Sequence, residues 1–151
     1  MTIETRVVKT RLEWDQVLAL RIAVFIDEQN GPADEEPDGY DPVARHLIAR
    51  RGDRVVGCAR LIDLGDGHAK IGRVAVARDH RGTGVGDHLM RVALRILHSE
   101  GARSVTLDAQ VPVIGFYERF GFVAGGGEFL DGGIPHRKMV LGDLPGKRET
   151  L

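Results

Sequence analysis

The sequence predicts an α/β (α+β) fold in which helices flank a mixed β-sheet, and three observations predict it. Strand-like runs follow one another closely through the first half of the chain. One long amphipathic segment then interrupts them, beginning at Gly86 and ending at Ser99. A further apolar run, Val105–Ala109, comes after it, and a crossover helix leaves the two strands that it joins parallel. At 151 residues the chain fits one domain with a real hydrophobic core, over 1–142, followed by a polar C-terminal tail at 143–151.

The elements follow in order. Ile3 to Val8 reads as a first strand. Thr10-Arg-Leu-Glu13 is a capping box that opens a helix, with Trp14, Val17, Leu18 and Arg21 on one face and the chain running on to Val24-Phe25. Asn30 to Pro42 is a loop rich in proline, glycine and acids. Strands at Arg45–Arg50 and Val55–Ile62 flank a hairpin turn at Arg51–Arg54, and a second turn at Leu64–Gly67 leads to a strand at Lys70–Ala77. The early sheet is therefore an antiparallel meander. After the helix at 86–99, Gly101 suits its C-terminal cap. Pro112 opens a last short helix ending near Phe120-Gly121. Gly125–Gly127 reads as a turn before a final strand at Arg137–Leu141.

Composition excludes several classes. Charged residues at 28% and hydrophobic ones at 42% describe a globular chain. A formal net charge of −1 carries no general nucleic-acid footprint. One cysteine, Cys58, precludes an intramolecular disulfide framework and suits a reducing compartment. No stretch approaches the length of a membrane span and the N-terminus has no apolar leader core, so a cytoplasmic location is expected.

The segment Arg81-Gly82-Thr83-Gly84-Val85-Gly86 is the most informative. Glycines let the backbone bend sharply and approach a ligand. A helix starting there aims unpaired N–H groups and its positive dipole end at an anion, and Arg81 adds a fixed charge. The loop lacks the lysine of a P-loop, and its third glycine falls at 86 where a dinucleotide fingerprint wants 87.

R-x-x-G-x-G after the run Ile71-Gly-Arg-Val-Ala-Val76, together with Val113-Ile-Gly-Phe-Tyr-Glu-Arg-Phe-Gly-Phe122, resembles the two signatures of the GNAT family of N-acetyltransferases. A narrower similarity, to ElaA-like members, rests on Val24–Gln29, Glu35–Asp38, Leu107–Gln110 and Glu128–His136 followed by Met139. The resemblance implies a centrally splayed sheet holding acetyl-CoA as co-substrate, with no metal. Backbone groups of the stretch Val74, Ala75 and Val76 would bond the pantetheine arm. The amides of Arg81, Gly82, Thr83, Gly84, Val85 and Gly86 would hold the pyrophosphate, and Gln110 stands where many relatives carry asparagine. Tyr117 matches the general acid that protonates the departing thiolate. By type, Glu28, Glu35, Glu36, Asp38, His46 and His136 can serve as base, and Glu28 is preferred because its block follows the first helix. The acceptor would be the primary amine of a small molecule or peptide, and such folds commonly dimerise. The alternative is a non-catalytic acyl-CoA sensor.

The remaining features weigh less. Asp34–Gly39 imitates the start of a calcium loop, but position twelve is Arg45 and Pro37 stiffens the turn. The acids there either attract a cationic amine or form a solvated loop. The histidines show no metal-ligand spacing, and Cys58 reads as a core residue.

Overall fold

The computed structural model describes residues 2–142, and the polar tail expected at 143–151 lies outside them. Seven strands form one sheet in the order β1 (Ile3–Val7), β2 (Arg45–Arg51), β3 (Arg54–Gly65), β4 (His68–Val76), β5 (Ser104–Gln110), β7 (Ile134–Leu141) and β6 (Val123–Asp131). The first four are the expected antiparallel meander, and β4–β5 is the parallel pair.

The helices begin where their caps put them. Thr10 Oγ1 accepts from the Glu13 amide at 3.1 Å to start α1 (Arg11–Arg21). The Glu13 carboxylate turns back to the amide of Lys9 at 2.8 Å, one residue before the cap, and also holds Arg6. Beyond Arg21 the chain continues as a wide π-type turn over Ile22–Glu28. Helix α2 (Val85–Ser99) ends at Gly101, whose φ of +89° supplies the left-handed conformation of a C-terminal cap. A short α3 spans Ile114–Glu118. Among the described residues no helix is long and apolar enough to cross a membrane.

Burial explains the three-layer packing. Along β3 every residue from Val56 through Ile62, except Gly57 and Arg60, is a buried hydrophobic, as expected of a strand covered on both faces. One face packs Leu47, Val56, Ala59 and Leu61 against Leu89, Met90, Ala93 and Leu97 of α2. The other packs Ile48, Cys58 and Ala75 against Val17 and Val24 of the first helical segment. Helix α2 lies so close to the sheet that a Cβ on Gly57 would meet Val85 at 2.7 Å.

The splay at the centre has a local cause. Strand β4 pairs with β5 only from His68 to Lys70. Two residues of β4, Arg73 and Val74, then stand opposite the single Ala59 of β3, and Arg73 takes a φ of +47°. Such a bulge bends the strand and turns it from its neighbour.

The structure corrects the expected turn at Gly125–Gly127. These glycines lie inside β6, where the pairing with β7 slips between Gly125 and Phe129, and Arg137 donates to the Gly126 carbonyl at 2.9 Å. The chain reverses instead at Gly132-Gly133, whose φ values of +59° and +80° supply the two left-handed residues of a tight hairpin.

Candidate functional site

The gap opened by the β4 bulge is a cleft of about 440 Å³. Val74 lines it from β4, Asp108 and Gln110 from β5, Tyr117 from α3, and Phe25, Gln29 and Glu35 from the segment after α1.

The glycine loop adjoins the cleft through Arg81. Gly82 and Gly84 adopt φ of +74° and +94°, conformations that a side chain disfavours. Gly84 caps α2 without any side-chain hydrogen bond, so the first-turn amides keep no side-chain partner. Gly86 is needed for a different reason: a Cβ there would sit 3.2 Å from the Phe116 ring. The third glycine therefore seats α3 against α2. The loop is braced by a residue the sequence reading missed: Arg51 donates to Thr83 Oγ1 at 2.7 Å and to the Thr83 carbonyl at 2.9 Å. Its position at a hairpin, far away in sequence, gave no local signal.

Arg81 lines the cleft and donates from Nε to the Val76 carbonyl at 3.1 Å. Its Nη2 pairs with Glu28 at 2.9 Å. Glu28 thus answers the loop arginine and is not among the residues lining the cleft. Of the expected pantetheine stretch, only the Val74 side chain faces the cleft. Ala75 is buried against Cys58 and Val17 on the α1 side, and Val76 packs toward α2, so neither offers more than backbone. Gln110 donates to Gln29 Oε1 at 3.0 Å, tying β5 to the segment after α1.

Tyr117 is buried between Phe116 and Phe122, with ring centroids at 5.0 and 6.3 Å. Burial alone pushes its phenol up to about 12, so it is protonated at neutral pH.

The model of the Acetyltransferase (GNAT) family matches residues 14–122, a span that holds the splayed strands, the uncapped helix start and the buried tyrosine. The chain belongs to the GNAT family. The uncharacterized N-acetyltransferase YjcF of Bacillus subtilis strain 168 is 37% identical over 122 residues, covering 80% of this chain and 86% of that protein. Among solved structures, Escherichia coli ElaA shares 32% identity with a TM-score of 0.82, covering 92% of this chain and 99% of its own. An acyl-CoA N-acyltransferase from Pseudomonas aeruginosa shares 33% identity at the same TM-score of 0.82, with coverage of 92% and 99%. The family model stops before β6 and β7, so the wall of this GNAT cleft formed by Asp131, Ile134 and His136 lies beyond the matched segment.

The acidic loop of this GNAT domain divides: Asp34 and Glu35 are exposed, whereas Glu36, Asp38 and the following Asp41 are paired with arginines. Arg21, fully buried, donates to both oxygens of Asp41 at 2.9 and 3.0 Å and to Glu36 at 2.5 Å. Arg60 holds Asp38 at 2.7 Å and Asp41 at 3.1 Å. Arg73, displaced by the bulge, reaches Glu36 at 2.9 Å and Asp38 at 3.0 Å. Three arginines thus neutralise three carboxylates, and Asp41 is held down to about 2 by these partners in spite of its burial. Glu36 and Asp38 are consequently locked as counter-ions. Sequence spacing could not reveal the cluster, because its members come from α1, the loop, β3 and β4.

The histidines separate by location. His46 leaves the cleft for a second cavity beside Trp14, with ring centroids 4.6 Å apart, and its Nε2 faces the Asp41 carbonyl at 3.0 Å. Burial lowers its pKa. His136 does line the cleft. Cys58 is enclosed beneath Arg73, and burial lifts its thiol to about 12, which makes it a core residue and no nucleophile.

Proposed function

We propose that the cleft binds acetyl-CoA and transfers its acetyl group to a primary amine of a small molecule or peptide by direct attack in a ternary complex. The observation that carries this reading is one splayed gap lined both by Arg81, which leads into the uncapped start of α2, and by a buried protonated tyrosine. Amides from Arg81 to Gly86 and the Arg81 guanidinium suit a pyrophosphate. The exposed edge of β4 beyond Lys70, released from β5, suits the pantetheine amides as an added strand. The thioester would then lie near Tyr117. A phenol at about 12 is a weak acid beside an ordinary thiol in water. Proton donation from Tyr117 would therefore accompany C–S cleavage, as negative charge develops on the departing sulfur.

Calorimetry tests the donor. Acetyl-CoA is expected to bind, and NAD(H) and ATP to bind much more weakly. Gly84→Ala forces a side chain into a φ of +94°, a strain of about 1–2 kcal/mol, and should weaken acetyl-CoA binding about tenfold. Equal affinity for the three nucleotides, or an unaffected Gly84→Ala protein, would remove the loop from donor recognition.

A further inference from the structure

We propose that His136 is the general base that takes the proton from the incoming amine; the inference rests on the acyl-transfer reading above. It begins with what binds the ring. His136 Nδ1 lies 2.7 Å from the Ile134 carbonyl. A carbonyl only accepts, so Nδ1 carries the hydrogen, and in the neutral ring Nε2 keeps its lone pair. The imidazole stacks on Phe129 at 5.9 Å with an interplanar angle of 24°, which fixes its orientation. Strand pairing sets it opposite Gln110, at the end of β5 where the sheet has opened, and its side chain lines the same cleft as Tyr117. Nε2 has no protein partner among the described residues.

Of the other candidate bases, Glu35 shares the cleft as an exposed carboxylate, and the rest are engaged elsewhere. Glu36 and Asp38 are counter-ions to arginines, Glu28 answers Arg81, and His46 faces the second cavity. The ionisable groups that share the cleft with His136 are Glu35 and Glu36 from the loop, Arg60 from β3, Lys70 and Arg73 from β4, Arg81 before α2, Asp108 from β5, Tyr117 from α3 and Asp131 from the β6–β7 hairpin. Lys70 and Asp108 bind each other at 3.0 Å. Among the described residues no carboxylate is bonded to the imidazole.

The proton balance closes without another reactant. The substrate ammonium gives one proton to Nε2, and the neutral nitrogen attacks the thioester carbon. The C–N bond forms, the tetrahedral oxyanion collapses, and the C–S bond breaks as Tyr117 protonates the thiolate. The remaining excess amine proton returns to the tyrosine phenolate, and the imidazolium releases its own to solvent. Products are the amide, CoA thiol and one proton.

His136→Asn is the decisive variant, because its side-chain amide can keep the bond to Ile134 while removing the basic nitrogen. General-base loss predicts a fall in kcat/KM of about a hundredfold or more at neutral pH. The acidic limb of the pH–rate profile should give way to a rate that climbs steadily with amine deprotonation. Added imidazole should restore part of the rate, and acetyl-CoA affinity by calorimetry should stay within about twofold, since general-base action leaves donor binding alone. A retained acidic limb in His136→Asn, or its loss in Glu28→Gln or Glu35→Gln instead, overturns the assignment. Nitrogen NMR of the imidazole gives a readout independent of turnover: a proton on Nε2 in the neutral ring also overturns it. Absence of turnover by the unaltered protein across a panel of amines overturns transfer itself, and the base with it.

Discussion

Burial holds the Tyr117 phenol near 12, so the hydroxyl is protonated at neutral pH, and in the proposed reaction it gives that proton to the departing thiolate. Replacement by phenylalanine leaves the stacking against Phe116 and Phe122 intact and deletes only the donor. Tyr117→Phe is therefore expected to lower kcat by at least about tenfold, with acetyl-CoA affinity nearly unchanged, in steady-state kinetics paired with calorimetry. An unaltered kcat would take Tyr117 out of the reaction. Single residues were the most legible level of the sequence where backbone chemistry dictated them. Gly82 and Gly84 announced positive φ, and Thr10 announced a helix start. The role of Gly86 was legible only in part, since its contact with Phe116 joins segments thirty positions apart.

Elements follow from pattern until tertiary contacts override it. The meander, the crossover helix and the parallel pair were all readable from periodicity and turn residues. The bulge in β4 was not, because an arginine with φ of +47° has no sequence signature and is fixed by the carboxylates it reaches. The glycines of β6 misled for the converse reason: a glycine run fits a turn and a bulge equally well, and Arg137 selects the bulge. The arginine–carboxylate cluster that pins α1 to β3 and β4 has its own pH signature. Asp41 titrates at about 2 in the folded chain and near 4 when unfolded, so its stabilisation is complete above about 4 and is lost as pH falls toward 2. Glu13, also held at about 2, loses its contribution over the same interval. Melting temperature should drop steeply between about pH 4 and 2, the span set by these values. Asp41→Asn leaves Arg21 and Arg60 short of a counter-charge and should cost about 3–5 kcal/mol at neutral pH in chemical denaturation. A variant as stable as the parent would show that the cluster is redundant.

At the scale of the whole molecule, two helical layers clamp a sheet that is continuous at its edges and parted at its centre. The parted centre brings Arg81, Tyr117 and His136 to one cleft, although they come from the segment before α2, from α3 and from the last strand. The glycine loop was legible because its positive φ values demand glycine. The wall formed by the β6–β7 hairpin and the loop after α1 was not, because its side chains are assembled from distant segments. The central claim is acetyl transfer, and the most direct measurement follows the acetyl group itself. Acetyl-CoA labelled with deuterium in the acetyl group, incubated with the protein and a panel of primary amines, should yield a labelled N-acetyl amine in equal amount to free CoA by mass spectrometry. Binding of acetyl-CoA with no labelled amide from any amine would contradict the claim and leave the cleft as an acyl-CoA sensor.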